Sequence, residues 1–291
     1  MTHRPPDAPH TSDAPRTPRT PRTPRTPDTP DTSDTYEVLA VRYGEWHTDK
    51  GTAYHSFDVY GEQNEPLRID YFFWVLRNEA RTVVVDTGFR PDVAARRQRT
   101  LLTPVPRALE LAGVEPERVS HVVLTHFHYD HIGNVDLFPG ARIVAGGREY
   151  RFWTGATAQQ PLFRNAVEAD EVDVVRGCEA DGRLILVPDQ DPGLPGITFH
   201  EVTGHTPGQI VVEARTSGRP VVLASDASHL YEEFEKERPF HIASSLPDMY
   251  EGLRWLRTRS EDAVVVPGHD ALVTERFPAD ETGTVLRLAR A

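Results

Sequence analysis

The chain has 291 residues and a formal charge of −12, with a pI near 5.5. That is room for one domain of about 250 residues and the wrong charge for a phosphate-backbone partner, which needs clustered Lys and Arg, so no nucleic acid is expected. A lone Cys178 excludes an internal disulfide and a cysteine-built metal site; with no run near the ~20 apolar residues of a membrane span and no secretory h-region, a cytoplasmic protein is expected.

Residues 1–35 are a different material from the rest. From Pro15 to Pro30 the triplets Pro-Arg-Thr and then Pro-Asp-Thr repeat with nothing apolar between them. Such a segment cannot bury enough surface to offset its ordering entropy. It is expected to be a disordered tail of polyproline II character, with 36–291 forming the folded domain. Its PxxP spacing suits an aromatic groove, but a solvated tail is the plainer expectation.

Apolar runs and turn residues then predict strands at 36–43, 67–77 and 81–86, and helices at 91–99 and 104–112. A strand follows at 118–125, another at 142–145, and a helix at 147–153. Strands at 183–187, 197–202, 209–214 and 220–225 lead to a helix at 246–258 and a last strand at 262–267. In that helix Met249, Leu253 and Leu256 make an apolar stripe that reads as core packing. Strands alternating with helices and then crowding together suit an α/β four-layer αββα sandwich, with chemistry along one edge at the strand ends.

Those strand ends carry the metal-capable residues. Val122-Val123-Leu124 is followed by His126-Phe127-His128-Tyr129-Asp130-His131. In an extended segment residues i and i+2 point the same way, so His126 and His128 can hold one cation, while Asp130 and His131 face a second as the chain turns off the strand. Further candidates stand at His205 in Gly204-His205-Thr206-Pro207-Gly208, at Asp226 after Val221-Val222-Leu223-Ala224-Ser225, and at His269 after Val264-Val265-Val266-Pro267-Gly268. A strand-end Asp often caps a helix and a His beside Gly is often a turn residue; the joint occurrence carries the argument.

This ordered set resembles the metallo-β-lactamase-fold hydrolases over roughly residues 36 to 291. The resemblance implies His126, His128 and His205 on one metal, Asp130, His131 and His269 on the other, and Asp226 bridging both. It also implies that Asp86-Thr87-Gly88 buttresses the site. Histidine and carboxylate without cysteine suit two divalent ions, zinc first, with iron, manganese or cobalt also fitting.

Within that superfamily, His126 to Arg142 and the run Ser225-Asp226-Ala227-Ser228 with Glu233-Phe234-Glu235 and Arg238-Pro239-Phe240 look like N-acyl homoserine lactonases. Many of these carry a substrate-contacting tyrosine three residues after the bridging aspartate. Here that position is His229, with Tyr231 two further on, so either is a candidate substrate contact. The implied reaction is opening of a small-molecule lactone: two cations bring the pKa of a shared water toward ~7, hydroxide attacks the ester carbonyl, and Asp130 passes a proton to the leaving alkoxide. Another lactone, a thioester or a β-lactam would use the same residues, and an iron-dependent sulfur dioxygenase shares the fold. Tyr150, Phe152, Trp153, Leu162 and Phe163 are candidates for an apolar roof over the site, as are Trp46, Tyr60 and the run Tyr71 to Trp74.

Overall fold

The computed structural model describes residues 34–291; the tail expected before them lies outside the described residues. The first described residues are tied to the rest of the domain. The Thr35 carbonyl accepts a hydrogen bond from Asn78 Nδ2 at 3.2 Å, and buried Tyr36 donates its hydroxyl to the Pro195 carbonyl at 2.9 Å.

Among the described residues twelve strands make two sheets. They are β1 (Glu37–Asp49), β2 (Pro66–Arg77), β3 (Thr82–Val85), β4 (Thr100–Leu101), β5 (His121–Leu124), β6 (Arg142–Gly146), β7 (Leu184–Val187), β8 (Ile197–Glu201), β9 (Ile210–Ala214), β10 (Val221–Ser225), β11 (Val264–Pro267) and β12 (Val285–Ala289). The larger sheet runs β12-β1-β2-β3-β5-β6-β7, with β4 added to β1; the smaller runs β11-β10-β9-β8.

Strands of the larger sheet are apolar on both faces because both faces are covered. Val84, Val122, Leu124 and Ile143 pack under the outer helices, while alternating Val83, Val85, Val123 and Val144 point into the core shared with the smaller sheet. Leu253 and Leu256 of the helix Leu246–Arg259 close the far side of that shared core. Helices, sheet, sheet and helix give the expected αββα sandwich.

Among the elements absent from the expectation, the longest helix and the last strand show why. The helix Ala169–Ala180 has β-branched valines, a glycine and several acids, so its propensity is weak. It forms because Val172, Val175 and Cys178 pack into the outer core. The strand β12 is only five residues long and exists by pairing with β1.

The topology sets the site. Strands β3 and β5 are parallel, pairing Val85 with Val123, and β10 and β11 are parallel, pairing Val222 with Val265. Their C-terminal ends therefore release Asp86, the 125–131 segment, Asp226 and His269, and the loop between β8 and β9 adds His205. Backbone bonds join the sheets there: Asp70 N donates to the His269 carbonyl and Ile210 N to the Thr125 carbonyl, each at 2.9 Å.

Candidate metal centre

All seven sequence-predicted ligand residues meet in one buried cluster. Donor atoms of His126, His128, His205 and Asp226 lie within 4.8 Å of one another, as do those of Asp130, His131 and His269. His126 and His128 converge from a bend beyond β5, not from within the strand, because β5 ends at Leu124. Asp226 joins the two groups through its separate oxygens. Its Oδ2 lies 3.2 Å from His205 Nε2 and 3.6 Å from His126 Nε2; its Oδ1 lies 2.9 Å from His269 Nε2 and 3.3 Å from His131 Nε2.

The outward nitrogens of the rings are already engaged. His131 Nδ1 is 2.7 Å from Asp86 Oδ2, His205 Nδ1 is 3.1 Å from the Ile242 carbonyl, and His269 Nδ1 is 2.9 Å from the Asp70 carbonyl. Donating outward leaves a lone pair on each inward Nε2, the tautomer a metal ligand needs. Buried His126 Nε2 and His131 Nε2 have no hydrogen-bond partner. His205 Nε2 and His128 Nδ1 face each other at 2.9 Å. Orphaned nitrogens converging on carboxylates, with no sulfur, are a donor set that fits two divalent cations.

The electrostatics agree. Burial, then the neighbouring histidines, holds His126 and His205 well below the ordinary imidazole value, and burial brings His128 down to about 4. These rings are neutral and can donate lone pairs. Burial also opposes charge on His131, but Asp226, Asp130 and Asp86 outweigh it and raise its pKa. That ring sits where positive charge is wanted.

The Asp86-Thr87-Gly88 turn does support the centre. Asp86 Oδ1 accepts from Thr125 N, and Oδ2 accepts from Thr125 Oγ1, each at 2.8 Å, while Thr125 Oγ1 also meets Ser225 Oγ at 2.8 Å. This network ties the ends of β3, β5 and β10 across the two sheets. Asp86 and Ser225 both adopt positive φ, 61° and 47°. Such strain is of order 1–3 kcal/mol per residue and persists only where surroundings enforce it. Gly268 is required by closeness, since a Cβ there would lie 2.7 Å from the Ser225 carbonyl oxygen.

Glu149 is a supporting residue that the sequence reading passed over. Its buried carboxylate accepts from Phe127 N at 3.1 Å, Gly208 N at 3.0 Å, Thr206 Oγ1 at 2.8 Å and Trp153 Nε1. It thus pins the His126–His128 segment to the His205 loop. Burial raises its pKa to about 7 against the pull of those four donors.

The centre opens into a cavity of about 390 Å³. Trp46, Tyr71, Trp153, Leu162 and Phe163 line it, whereas Tyr150 turns away to donate to Glu179 and Phe152 packs on Trp153 and Phe163. His229 lines the cavity with Nε2 3.0 Å from Asp226 Oδ2, Nδ1 3.4 Å from Glu233, and its ring stacked on Phe240 at 3.6 Å. Burial works against its charge, but Asp226 and Glu233 outweigh it and raise the pKa to about 10. Tyr231 is placed elsewhere. Its ring is buried in the core with Phe234 and lies under the Arg276 guanidinium at 3.6 Å, so it does not line this cavity.

The N-acyl homoserine lactonase of Bacillus sp is 26% identical over 194 residues, covering 60% of this chain and 71% of that protein. The N-acyl homoserine lactonase AttM of Rhizobium radiobacter is 28% identical over 181 residues, covering 56% of this chain and 62% of its own length. A solved N-acyl homoserine lactone hydrolase, with the product N-hexanoyl-L-homoserine at its catalytic metal centre, superposes with a TM-score of 0.68 at 19% identity. It covers 84% of this chain and 98% of its own. AidC, a dizinc quorum-quenching lactonase, gives 0.66 at 16% identity, covering 83% and 92%. Residues 71–269 match the family model of the metallo-beta-lactamase superfamily, a span that takes in all seven clustered side chains. The chain belongs to the metallo-beta-lactamase superfamily.

Proposed function

We propose that this protein is a dinuclear-metal hydrolase that opens the lactone ring of N-acyl homoserine lactones. The observation that carries the reading is the bridging pose of Asp226, one oxygen toward each histidine group. His126, His128 and His205 would hold one ion, Asp130, His131 and His269 the other, and zinc suits this nitrogen and carboxylate set best. Bound there, two such cations supply an acidified water and a Lewis acid for the ester carbonyl.

The chain's own groups do the rest. Asp130 lines the cavity beside His131 and His269, with carboxylate-to-ring distances of 3.6 and 3.7 Å. It takes the proton released as water adds to the carbonyl and returns it to the ring oxygen as the C–O bond breaks, so the product is one hydroxy acid. With Asp226 engaged by the cations, His229 Nε2 would be released to donate a hydrogen bond to the substrate carbonyl oxygen, its ring held by Glu233 and Phe240. Leu162 and Phe163 give the acyl chain an apolar wall.

The test is to incubate the purified protein with N-hexanoyl homoserine lactone and identify the product. Ring-opened N-hexanoyl-homoserine, with one proton released per turnover, is expected. Free hexanoate would mean amide cleavage and would sink the reading. A second reading, a different lactone or a thioester on the same centre, is favoured by His229 standing where the family resemblance implies a tyrosine; turnover across a panel of both ester types separates the two.

A further inference from the structure

Arg99 stands in the wall of the cavity that also exposes Asp130, Asp226 and His269. Its neighbours Arg96 and Arg97 are both paired with Glu168, at 2.9 and 2.8 Å. Arg99 itself forms no ion pair with any described residue. Asp130, whose field it feels, lies beyond ion-pairing distance and belongs to the metal-facing group.

Its position is built rather than incidental. Gln98 takes a left-handed φ of 54°, and Arg99 N returns to the Ala94 carbonyl at 2.9 Å, which ends the preceding helix abruptly. The chain then enters β4, where Thr100 pairs with Glu45. Continuing that antiparallel register sets Arg99 opposite Trp46, and the guanidinium lies 4.0 Å over the indole ring. Nε donates to Tyr129 Oη at 3.2 Å, and Nη1 donates to the Arg97 carbonyl at 2.8 Å. Tyr129 Oη meets Tyr71 Oη at 3.3 Å, and the Tyr71 ring packs 5.1 Å from that of His269. One layer of side chains therefore separates Arg99 from the metal-facing residues.

Nη2 has no hydrogen-bond partner among the described residues. A half-buried guanidinium, fixed on two sides and open on the third, is a fork shaped for a carboxylate. The overall charge of −12 does not cancel it, because charges more than ~8 Å away are largely screened at physiological salt.

We infer that Arg99 is an anion-recognising subsite of the substrate cavity, and that the preferred substrate carries a carboxylate on the part remote from the scissile ester. The inference rests on the lactonase reading and narrows it, since an acyl chain alone needs only the apolar wall.

The test compares two lactones of equal chain length, N-hexanoyl homoserine lactone and N-adipoyl homoserine lactone, whose acyl chain ends in a carboxylate. Wild-type enzyme is expected to favour the adipoyl compound in kcat/KM by about tenfold, mainly through KM, the scale of one charge-assisted hydrogen bond. R99Q is expected to abolish that ratio, and R99K, which keeps the charge without the fork, to retain part of it. Melting temperatures of both variants guard against misfolding. A wild-type preference for the neutral lactone, or a ratio that R99Q leaves in place, overturns the subsite. Were neither compound opened, the lactonase reading would fail instead. The ratio of dissociation constants for the two intact lactones, measured by calorimetry on wild type and R99Q, would then decide on Arg99 alone.

Discussion

Asp226 is the side chain on which both histidine groups depend, since each of its oxygens serves one of them. Asp226→Ala should therefore release both ions, dropping metal content from two per chain to fewer than one with activity at background; elemental analysis of the purified variant checks this. Asp130→Asn keeps the shape and one coordinating oxygen but cannot accept a proton. It should cut kcat by ~10²-fold or more while metal content falls less than in Asp226→Ala, and steady-state kinetics beside metal analysis will show whether the two effects separate. Glu171 makes a different prediction. Burial raises its pKa to about 8 from an ordinary 4.5, Arg90 opposing, and neither carboxylate oxygen has a hydrogen-bond partner. The folded state keeps the proton that the unfolded chain gives up, so this residue's contribution falls as pH rises from about 4.5 through 8. Glu171→Gln should flatten that decline and raise Tm at pH 8 by ~3 °C or more, read by thermal melts from pH 5 to 8.5. The seven clustered residues were legible in the sequence because the run His126 to His131 and the three further candidates occur together, although each of His205, Asp226 and His269 alone would be ordinary. Glu149 was not, because a glutamate in Gly147-Arg148-Glu149-Tyr150 looks like any solvent-facing acid until Phe127, Thr206 and Gly208 arrive from distant segments. Tyr231 misled for a related reason: two residues past His229 it opens a helix, and its ring turns into the core.

The elements nearest the centre are held by contacts that allow no extra atoms. A Cβ on Gly208 would sit 2.0 Å from Glu149 N and 2.5 Å from the Arg148 carbonyl carbon. Backbone cannot yield that far, so Gly208→Ala should push the His205 loop away from the His126–His128 segment. A 10- to 100-fold loss of metal affinity is expected, the usual scale for disturbed outer support, with a lowered Tm. Competition with a chromogenic chelator measures it, and unchanged affinity would show that Glu149 does not set the loop. At this scale apolar β-runs were readable because they are buried on both faces, which leaves no polar interruption in Val122 to Leu124. The helix Ala169–Ala180 was hidden because its stability comes from Val172, Val175 and Cys178 meeting the sheet, not from its own propensity.

Across the whole molecule, each metal-facing group draws from both sheets. His126 and His128 follow β5 while His205 and Asp226 come from the smaller sheet; Asp130 and His131 likewise meet His269. By composition the N-terminal run is expected to stay outside this core. Removing residues 1–33 should leave Tm and kcat/KM nearly unchanged, since its repeat from Pro15 to Pro30 has no apolar side chain to bury. A drop of several degrees or severalfold in the truncated protein would show that the segment packs on the domain.

The ion-facing residues hang on strand ends locked by Asp86, Thr125 and Ser225. Leu162 and Phe163, by contrast, reach the cavity from the stretch between Trp153 and Ala169, which holds only single helical turns. The apolar wall for the acyl chain is thus written largely on a piece of chain separate from the ion-facing residues. Substitutions at Leu162 and Phe163 would change which molecules fit while leaving that lock in place, whereas Ala166, whose carbonyl accepts from Tyr129 N at 3.0 Å, ties the stretch to the ion-facing segment and has to keep its position.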